Sequence, residues 1–290
     1  MRDDAAKMVN ISAYRFVGIP KDELSPLRKD LDAEAKALAL KGTILLSTEG
    51  INLFLAAPEA DIKAFWEKLT ARAWFSGMAY QESKSEHQPF KKMLVKIRRE
   101  IITFDRPEVD PLKDTAPRIT PLELKKWLDE GRDFVLLDTR NAFEVEFGTF
   151  ETATHLDIRS FRQFPAEVEN RAEQWGDKPV VTFCTGGIRC EKAAPFMLKK
   201  GYREVYQLDG GILNYFAETQ GAHWDGECFV FDERVGIDGG LAETGAILCK
   251  ACSRPLTHAE QLQEEPEGFR QYCASCLPKI KEKALLPQHG

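Results

Sequence analysis

Cys184 closes an apolar run, Pro179-Val-Val-Thr-Phe183, and is followed at once by Thr185, Gly186, Gly187, Ile188 and Arg189. A strand that ends on a cysteine delivers the sulfur to the carboxyl edge of a sheet, where open α/β folds place ligands. Gly186 and Gly187 let the backbone curl so that successive N–H groups point inward. A helix N-terminus directly after the loop adds its positive end, and Arg189 adds a permanent cation. Together these groups lower a thiol pKa and steady an anion on the sulfur, whether thiolate or persulfide. The competing reading is a buried cysteine beside an ordinary glycine turn. The arginine and two further motifs, Asp138-Thr-Arg140 and Asp209-Gly-Gly211, weigh against it.

Cys190 stands six residues beyond Cys184. It is a resolving thiol that closes a disulfide with Cys184, a second reactive sulfur, or a small helix N-terminal residue with no chemistry. Asp138 and Arg140 either contact substrate and orient Arg189, or form a structural salt bridge. The catalytic candidates are therefore Cys184, Arg189 and Cys190, with Thr185, Gly186, Gly187, Ile188, Asp138 and Arg140 as substrate-binding candidates.

Four more cysteines fall as Cys249-x2-Cys252 and Cys273-x2-Cys276, with 20 residues between the pairs. This spacing points to a four-thiolate zinc site rather than to free thiols or redox pairs. A loop-rich tail with little core would gain stability from such a metal. Seven cysteines, an odd number with six of them clustered, do not suit a secreted disulfide framework, so a reducing compartment is expected. The acidic N-terminus and the lack of any apolar run near about 18 residues lead to the expectation of a cytoplasmic protein without a membrane span. The five histidines are scattered and no dinucleotide fingerprint is present, so no flavin, haem or nicotinamide site is expected.

A formal charge of −6 argues against a protein that coats nucleic acid non-specifically, but not against a local basic surface. Such a surface lies between Lys84 and Arg99, where Lys91, Lys92, Lys96 and Arg98 face the single acid Glu86, with His87 and Phe90 interleaved. It reads as a track for RNA phosphates, with Lys91, Lys92 and Arg98 as contacts, or as a solvated strand face.

The elements that must position these residues fall into three parts. Over residues 8–105, a strand at Ile11–Val17 precedes a helical stripe of Leu27, Leu31, Ala35 and Leu38. Two apolar strands, Gly42–Ser47 and Ile51–Ala56, join across Thr48-Glu49-Gly50. A second helix buries Ile62, Phe65, Trp66 and Leu69, and Met93–Ile101 closes the unit. The order βαββαβ predicts a ferredoxin-like sandwich. Residues 106–117 hold three prolines and read as a linker. Residues 118–220 alternate strands and helices, starting from the capping box Thr120-Pro-Leu-Glu123, and predict a parallel sheet covered on both faces. Pro195 is an awkward residue in the helix expected from Cys190 to Lys200. Residues 221–290 form an irregular extension that ends in the cysteine-rich tail.

The run Phe183-Cys-Thr-Gly-Gly-Ile-Arg-Cys-Glu-Lys-Ala193 resembles the signature of the rhodanese-domain tRNA uridine hydroxylases. Gly42-Thr-Ile-Leu-Leu-Ser-Thr-Glu-Gly-Ile-Asn52 resembles their N-terminal motif, and the similarity extends in order over residues 9–245. The resemblance implies an acylphosphatase-like domain ahead of a rhodanese domain, with Cys184 as the reactive cysteine. It implies oxygen-dependent 5-hydroxylation of the wobble uridine, with molecular oxygen as co-substrate and tRNA as partner. It also makes Glu49 and Asn52 candidates. The loop has the Cys-x4-Arg length of sulfur-handling members, one residue shorter than in the phosphatases of the same fold. The main alternative is a rhodanese-type sulfurtransferase, a persulfide carrier without an RNA substrate. A third, non-enzymatic alternative is a redox-sensing scaffold using the Cys184/Cys190 pair and the metal-binding tail.

Overall fold

Along Met8–Phe16 (β1), Val9, Ile11 and Ala13 point to one face while Ser12 and Tyr14 point to the other, and this alternation organises the N-terminal part. The computed structural model describes residues 7–261 and 266–285. After β1 come α1 (Leu24–Ala37), β2 (Lys41–Ser47), β3 (Gly50–Pro58), α2 (Glu59–Thr70), β4 (Gln81–Ser85) and β5 (Met93–Ile97). The sheet order is β4-β1-β3-β2-β5. Leu27, Leu31 and Ala35 of α1 and Ile62, Phe65 and Leu69 of α2 share one core with Val9, Ile11, Ile44, Leu53 and Leu55. Both helices therefore cover a single face. The register places Tyr14 opposite Asn52, Asn52 opposite Leu45, and Ser12 opposite Phe54 on the open face.

The sandwich is as expected, but its closing strand is not Met93–Ile101. Gln81–Ser85 takes that place, antiparallel to β1, whereas Met93–Ile97 is an added fifth strand, parallel to β2 at the opposite edge. The reason is chemical. β4 reads Gln-Glu-Ser-Lys-Ser, and its partners are polar: Asn10 bonds the Ser85 hydroxyl at 3.1 Å, and Arg234 donates to the Ser83 hydroxyl at 2.7 Å. No apolar alternation is needed there, so none marks the strand.

The central part runs β6 (Arg118–Ile119), α3 (Pro121–Asp129), β7 (Val135–Asp138), α4 (Ala142–Val145), β8 (Gly148–Phe150), β9 (Thr154–His155), α5 (Phe164–Glu169), α6 (Ala172–Trp175), β10 (Val180–Phe183), α7 (Cys190–Lys199), β11 (Val205–Leu208) and α8 (Gly211–Thr219). Its sheet, β6-β11-β10-β7-β9, is parallel throughout. β7 and β10 are buried along their whole length, as expected of central strands covered on both faces. The Thr120 hydroxyl caps α3 by accepting the Glu123 N–H at 3.2 Å. Pro195 lies inside α7 without ending it.

Residues 106–117 are not a loose tether. Val109 and Ala116 pack with Phe104 into the central core. The chain after α8 joins it too: Trp224–Gly226 pairs antiparallel with β8, and Cys228, Val230 and Ile237 are buried with Phe150 and Phe183. Among the described residues, the segment carrying the last four cysteines has a small cluster of its own. No helix among the described residues is long and apolar enough to cross a membrane.

Candidate active site

β10 delivers Cys184 to the sheet's carboxyl edge, where its side chain is 1% exposed. Its Sγ accepts the Gly187 N–H at 3.2 Å. Gly187 has φ +95°, and a Cβ there would come 3.0 Å from the Tyr14 hydroxyl, so the inward curl requires glycine. The Asp209-Gly-Gly211 turn closes on the loop from below. Ile212 and Leu213 donate their N–H groups to the carbonyls of Cys184 and Thr185 at 3.0 and 3.1 Å. A Cβ on Gly211 would stand 2.4 Å from the Cys184 carbonyl oxygen. The start of α8 thus binds the loop's carbonyls and leaves its amides to the sulfur.

Burial alone would raise the Cys184 pKa. The Cys190 thiol, the Arg189 charge and the amides of Arg189 and Gly187 outweigh it and bring the thiol down to about 6. Cys190 is fully buried; burial and the adjacent Cys184 sulfur push its thiol well above the ordinary value. The Thr139 hydroxyl lies 3.9 Å from the Cys190 sulfur.

Arg189 has a partner that the sequence reading did not single out. Its guanidinium forms a two-pronged bond to Glu144 at 2.8 and 2.9 Å, and the Glu144 side chain is fully buried. Glu144 is itself held at the start of α4, where its carboxylate accepts the Asn141 N–H at 3.1 Å. The Asn141-x-x-Glu144 spacing was the available signal.

Asp138 and Arg140 are placed differently from the expectation of substrate contact. Both side chains are 0% exposed and bond each other at 2.6 Å. Asp138 also accepts from the Thr149 hydroxyl at 2.8 Å, and Arg140 donates to the Gly148 carbonyl at 2.7 Å. These bonds tie β7 to β8, with one Arg140 guanidinium nitrogen left without a partner among the described residues, so the salt-bridge reading describes the pair.

Above Cys184 lies a cavity of about 280 Å³, floored by the loop residues Cys184, Thr185, Gly186 and Ile188 with Arg189. Its other wall is the open face of the N-terminal sheet, including Asn52 and Phe54, with Arg98 and Phe231 also lining it. The Thr185 hydroxyl is buried and has no hydrogen-bond partner among the described residues.

The two parts are clamped around this cavity. Lys192 of α7, 3% exposed, donates to both Glu49 oxygens at 2.9 and 3.0 Å, to Glu100 at 2.8 Å and to the Ile102 carbonyl at 3.0 Å. Glu49 is thus a structural acceptor here, while Asn52 donates to the Ile101 carbonyl at 3.2 Å and lines the cavity. On the other side of the loop, Tyr14 donates to Glu191 at 2.9 Å, and Arg118 bonds Glu191 at 2.6 Å and Asp209 at 3.1 Å. Burial and the Glu191 carboxylate push the Tyr14 phenol up, so it stays protonated as a donor.

The basic stretch divides. Lys91 pairs with Glu233 at 3.1 Å. Lys92, Lys96 and Arg98 have no ion pair among the described residues, and Arg98 reaches the cavity. In the tail, the sulfurs of Cys249, Cys252, Cys273 and Cys276 all lie within 4.8 Å of one another, with Cys252 and Cys273 at 3.7 Å. A zinc–sulfur bond of about 2.3 Å gives tetrahedral sulfur–sulfur edges of about 3.8 Å, so this donor set fits a four-thiolate metal site.

Comparison with known proteins agrees with this division. Residues 8–101 match the family described as UPF0176 acylphosphatase like domain, and residues 120–218 match the Rhodanese-like domain. The chain is 50% identical over 276 residues to a tRNA uridine(34) hydroxylase of Cupriavidus necator, covering 93% of this chain and 97% of that protein. It is 51% identical over 245 residues to one from Bordetella petrii, covering 83% and 96%. With one from Delftia acidovorans it shares 49% identity over 242 residues, covering 82% and 91%.

Proposed function

Since the chain belongs to the tRNA uridine(34) hydroxylase family, we propose that it hydroxylates uridine 34 of tRNA at C5, with molecular oxygen as co-substrate and Cys184 as nucleophile. The observation that carries this reading is the roof over Cys184. The low-pKa thiol faces a cavity whose opposite wall belongs to another domain and includes Arg98, which has no ion pair among the described residues. A persulfide carrier has no need of that wall; an enzyme that must hold one base of a large RNA does.

Addition of the Cys184 thiolate to C6 of the uracil moves electron density onto C5, the carbon that takes oxygen. One atom of O2 ends on C5 and the other leaves as water, with two electrons from a thiol donor. Loss of the C5 proton and expulsion of Cys184 restore the ring. Gly187 and Arg189 amides, with the Arg189 guanidinium, steady the departing thiolate. Cys190 supplies a further hydrogen bond to the same sulfur.

Lys92, Lys96 and Arg98 lie at even intervals on one side of β5 and its extension, a row of about 20 Å suited to successive phosphates. The four tail cysteines hold zinc, which contributes stability to the tail and no chemistry at Cys184. The free thiols belong in the reducing cytoplasm.

The test is nucleoside mass spectrometry of undermodified tRNA incubated with wild type and Cys184→Ser, in air and without oxygen. 5-Hydroxyuridine is expected only from wild type in air. Absence of the product, together with cyanide-dependent thiocyanate formation from thiosulfate, overturns the reading in favour of the sulfurtransferase.

A further inference from the structure

Phe231 is 48% exposed and lines the cavity above Cys184. It stands at the tip of a hairpin formed by Cys228–Phe229 and Gly236–Ile237, in the extension that follows the central domain. Single exposed apolar residues are ordinary on protein surfaces. This one is unusual in how firmly its loop is held. The Val230 N–H donates to the Val235 carbonyl at 2.9 Å, closing the tip. Asp232 and Arg234 form a buried ion pair at 2.6 and 2.8 Å. Arg234 reaches on to Ser83 of β4 at 2.7 Å, and Glu233 donates its N–H to the Pro89 carbonyl at 2.9 Å. The ring of Phe229 meets Phe231 at 5.0 Å and near right angles, and the Arg189 guanidinium carbon is 6.0 Å from the Phe231 centroid. Hydrogen bonds into the N-terminal domain, with ring contacts to Phe229 and to Arg189 of the central domain, thus fix an aromatic ring beside the reactive cysteine with about half its surface in water.

A second, independent observation points to a ligand in the same place. Thr185, next to Cys184, has a buried hydroxyl with no partner among the described residues, and it lines this cavity. A buried hydroxyl left unpaired is costly unless something in the cavity bonds it. A flat ring surface, an unsatisfied hydroxyl and a volume at the lower end of small-molecule pockets together suit one pyrimidine base.

We propose that Phe231 stacks on the uracil ring that reaches Cys184, and that the Thr185 hydroxyl bonds a polar edge of the same base. The inference rests on the hydroxylase reading and gives the extension a share in substrate binding. The fixed loop matters because a ring already in position loses little freedom when the base arrives.

The test compares Phe231→Ala, Phe231→Leu and Phe231→Trp in two assays. In the Cys184→Ser background, affinity for undermodified tRNA is measured by fluorescence anisotropy. In the otherwise unaltered enzyme, kcat/KM for 5-hydroxyuridine formation is measured. Base–aromatic stacking predicts a loss of about 5- to 150-fold for Ala and for Leu, with Trp within about threefold of wild type. The pH midpoint of Cys184 labelling by methyl methanethiosulfonate, read by peptide mass spectrometry, is expected to stay at the wild-type value in all three. A shifted midpoint in Phe231→Leu would assign its loss to the thiol's setting and overturn the stacking role. Wild-type behaviour of Phe231→Leu would overturn the proposal, because an apolar wall would then suffice, and so would an unaffected Phe231→Ala. If wild type makes no 5-hydroxyuridine but the affinities fall in the stated order, the hydroxylase reading fails while the stacking role stands.

Discussion

The molecule holds two clusters of cysteines, and they stand in opposite relations to the fold. Cys184 and Cys190 sit in the central domain, 1% and 0% exposed, with strands, helices and loops converging on them. Their supports are distant in sequence: Glu144 holds Arg189, Gly211 lets α8 reach the loop, and Tyr14 from the first domain packs over Gly187. The tail cysteines have little around them among the described residues: Leu256 is buried with them, and Ile247 and Tyr272 are partly buried. In the first case a finished core holds a thiol and leaves it free for chemistry. In the second, on the zinc reading proposed above, the thiols hold the chain. Sulfur is reactive where the fold needs nothing from it.

The largest effect that separates the two is metal removal. Structural zinc bound to small peptides is worth roughly 10–16 kcal/mol, nearly all of it folding free energy. Chelation, or Cys273→Ser, is therefore expected to abolish amide-exchange protection across residues 247–261 and 266–285. Residues 118–220 should keep theirs, and Cys184 should label with methyl methanethiosulfonate at its former rate. Less than one zinc per freshly purified chain, or a coupled loss of Cys184 reactivity, would break the contrast.

Next in size is Glu144→Ala. It strands the Arg189 guanidinium in a buried site, and removal of one partner from such a pair costs about 3–5 kcal/mol. A denaturant midpoint should fall accordingly, with the slope unchanged. A Glu144→Leu, Arg189→Met double variant should recover much of the loss in stability without recovering activity. If Glu144→Ala alone costs under about 1 kcal/mol, the cradle is less dependent on distant supports than the comparison holds.

These two predictions also mark what could be read in the chain beforehand. The strand that runs into Cys184, the glycine curl, the Thr120 cap and the closeness of the four tail cysteines are local patterns, each written within a few residues or in one spacing. The partners that tune the site are not local. Glu144 and Arg189 are 45 positions apart, and Lys192 and Glu49 are 143 apart. Nothing in periodicity distinguishes a buried glutamate with a distant arginine from a surface one. Gln81–Ser85 was missed for a related reason: a strand whose neighbours are Asn10 and Arg234 carries no apolar signal. Asp138 and Arg140 looked like site residues because both are charged and near the loop. Their mutual bond, sealed from solvent, is visible only once β8 is in place.

The smallest predicted effect concerns Cys190, where the two roles of sulfur come closest. Its own thiol is held neutral at pH 7 by burial and by Cys184, so in the wild type it acts on its neighbour as a donor. Cys184, drawn down to about 6, should reach half-maximal exchange with methyl methanethiosulfonate near that pH. Cys190→Ala removes a donor without relieving any negative charge, so the midpoint must move up, by about one unit or less. At pH 5 the variant should then be up to about threefold slower, since about a tenfold loss of thiolate is partly offset by the greater nucleophilicity of each thiolate. At alkaline pH it should be up to about threefold faster, because a more basic thiolate is the better nucleophile in disulfide exchange. Cys190→Ser keeps a donor and should return both limbs toward wild type. A resolving thiol behaves otherwise: Cys190→Ser and Cys190→Ala would lose turnover equally, with the Cys184 midpoint unmoved. Crossed curves with serine rescue would mean that even the second cysteine of the cradle serves to set the charge of the first, as Gly187 and Arg189 do.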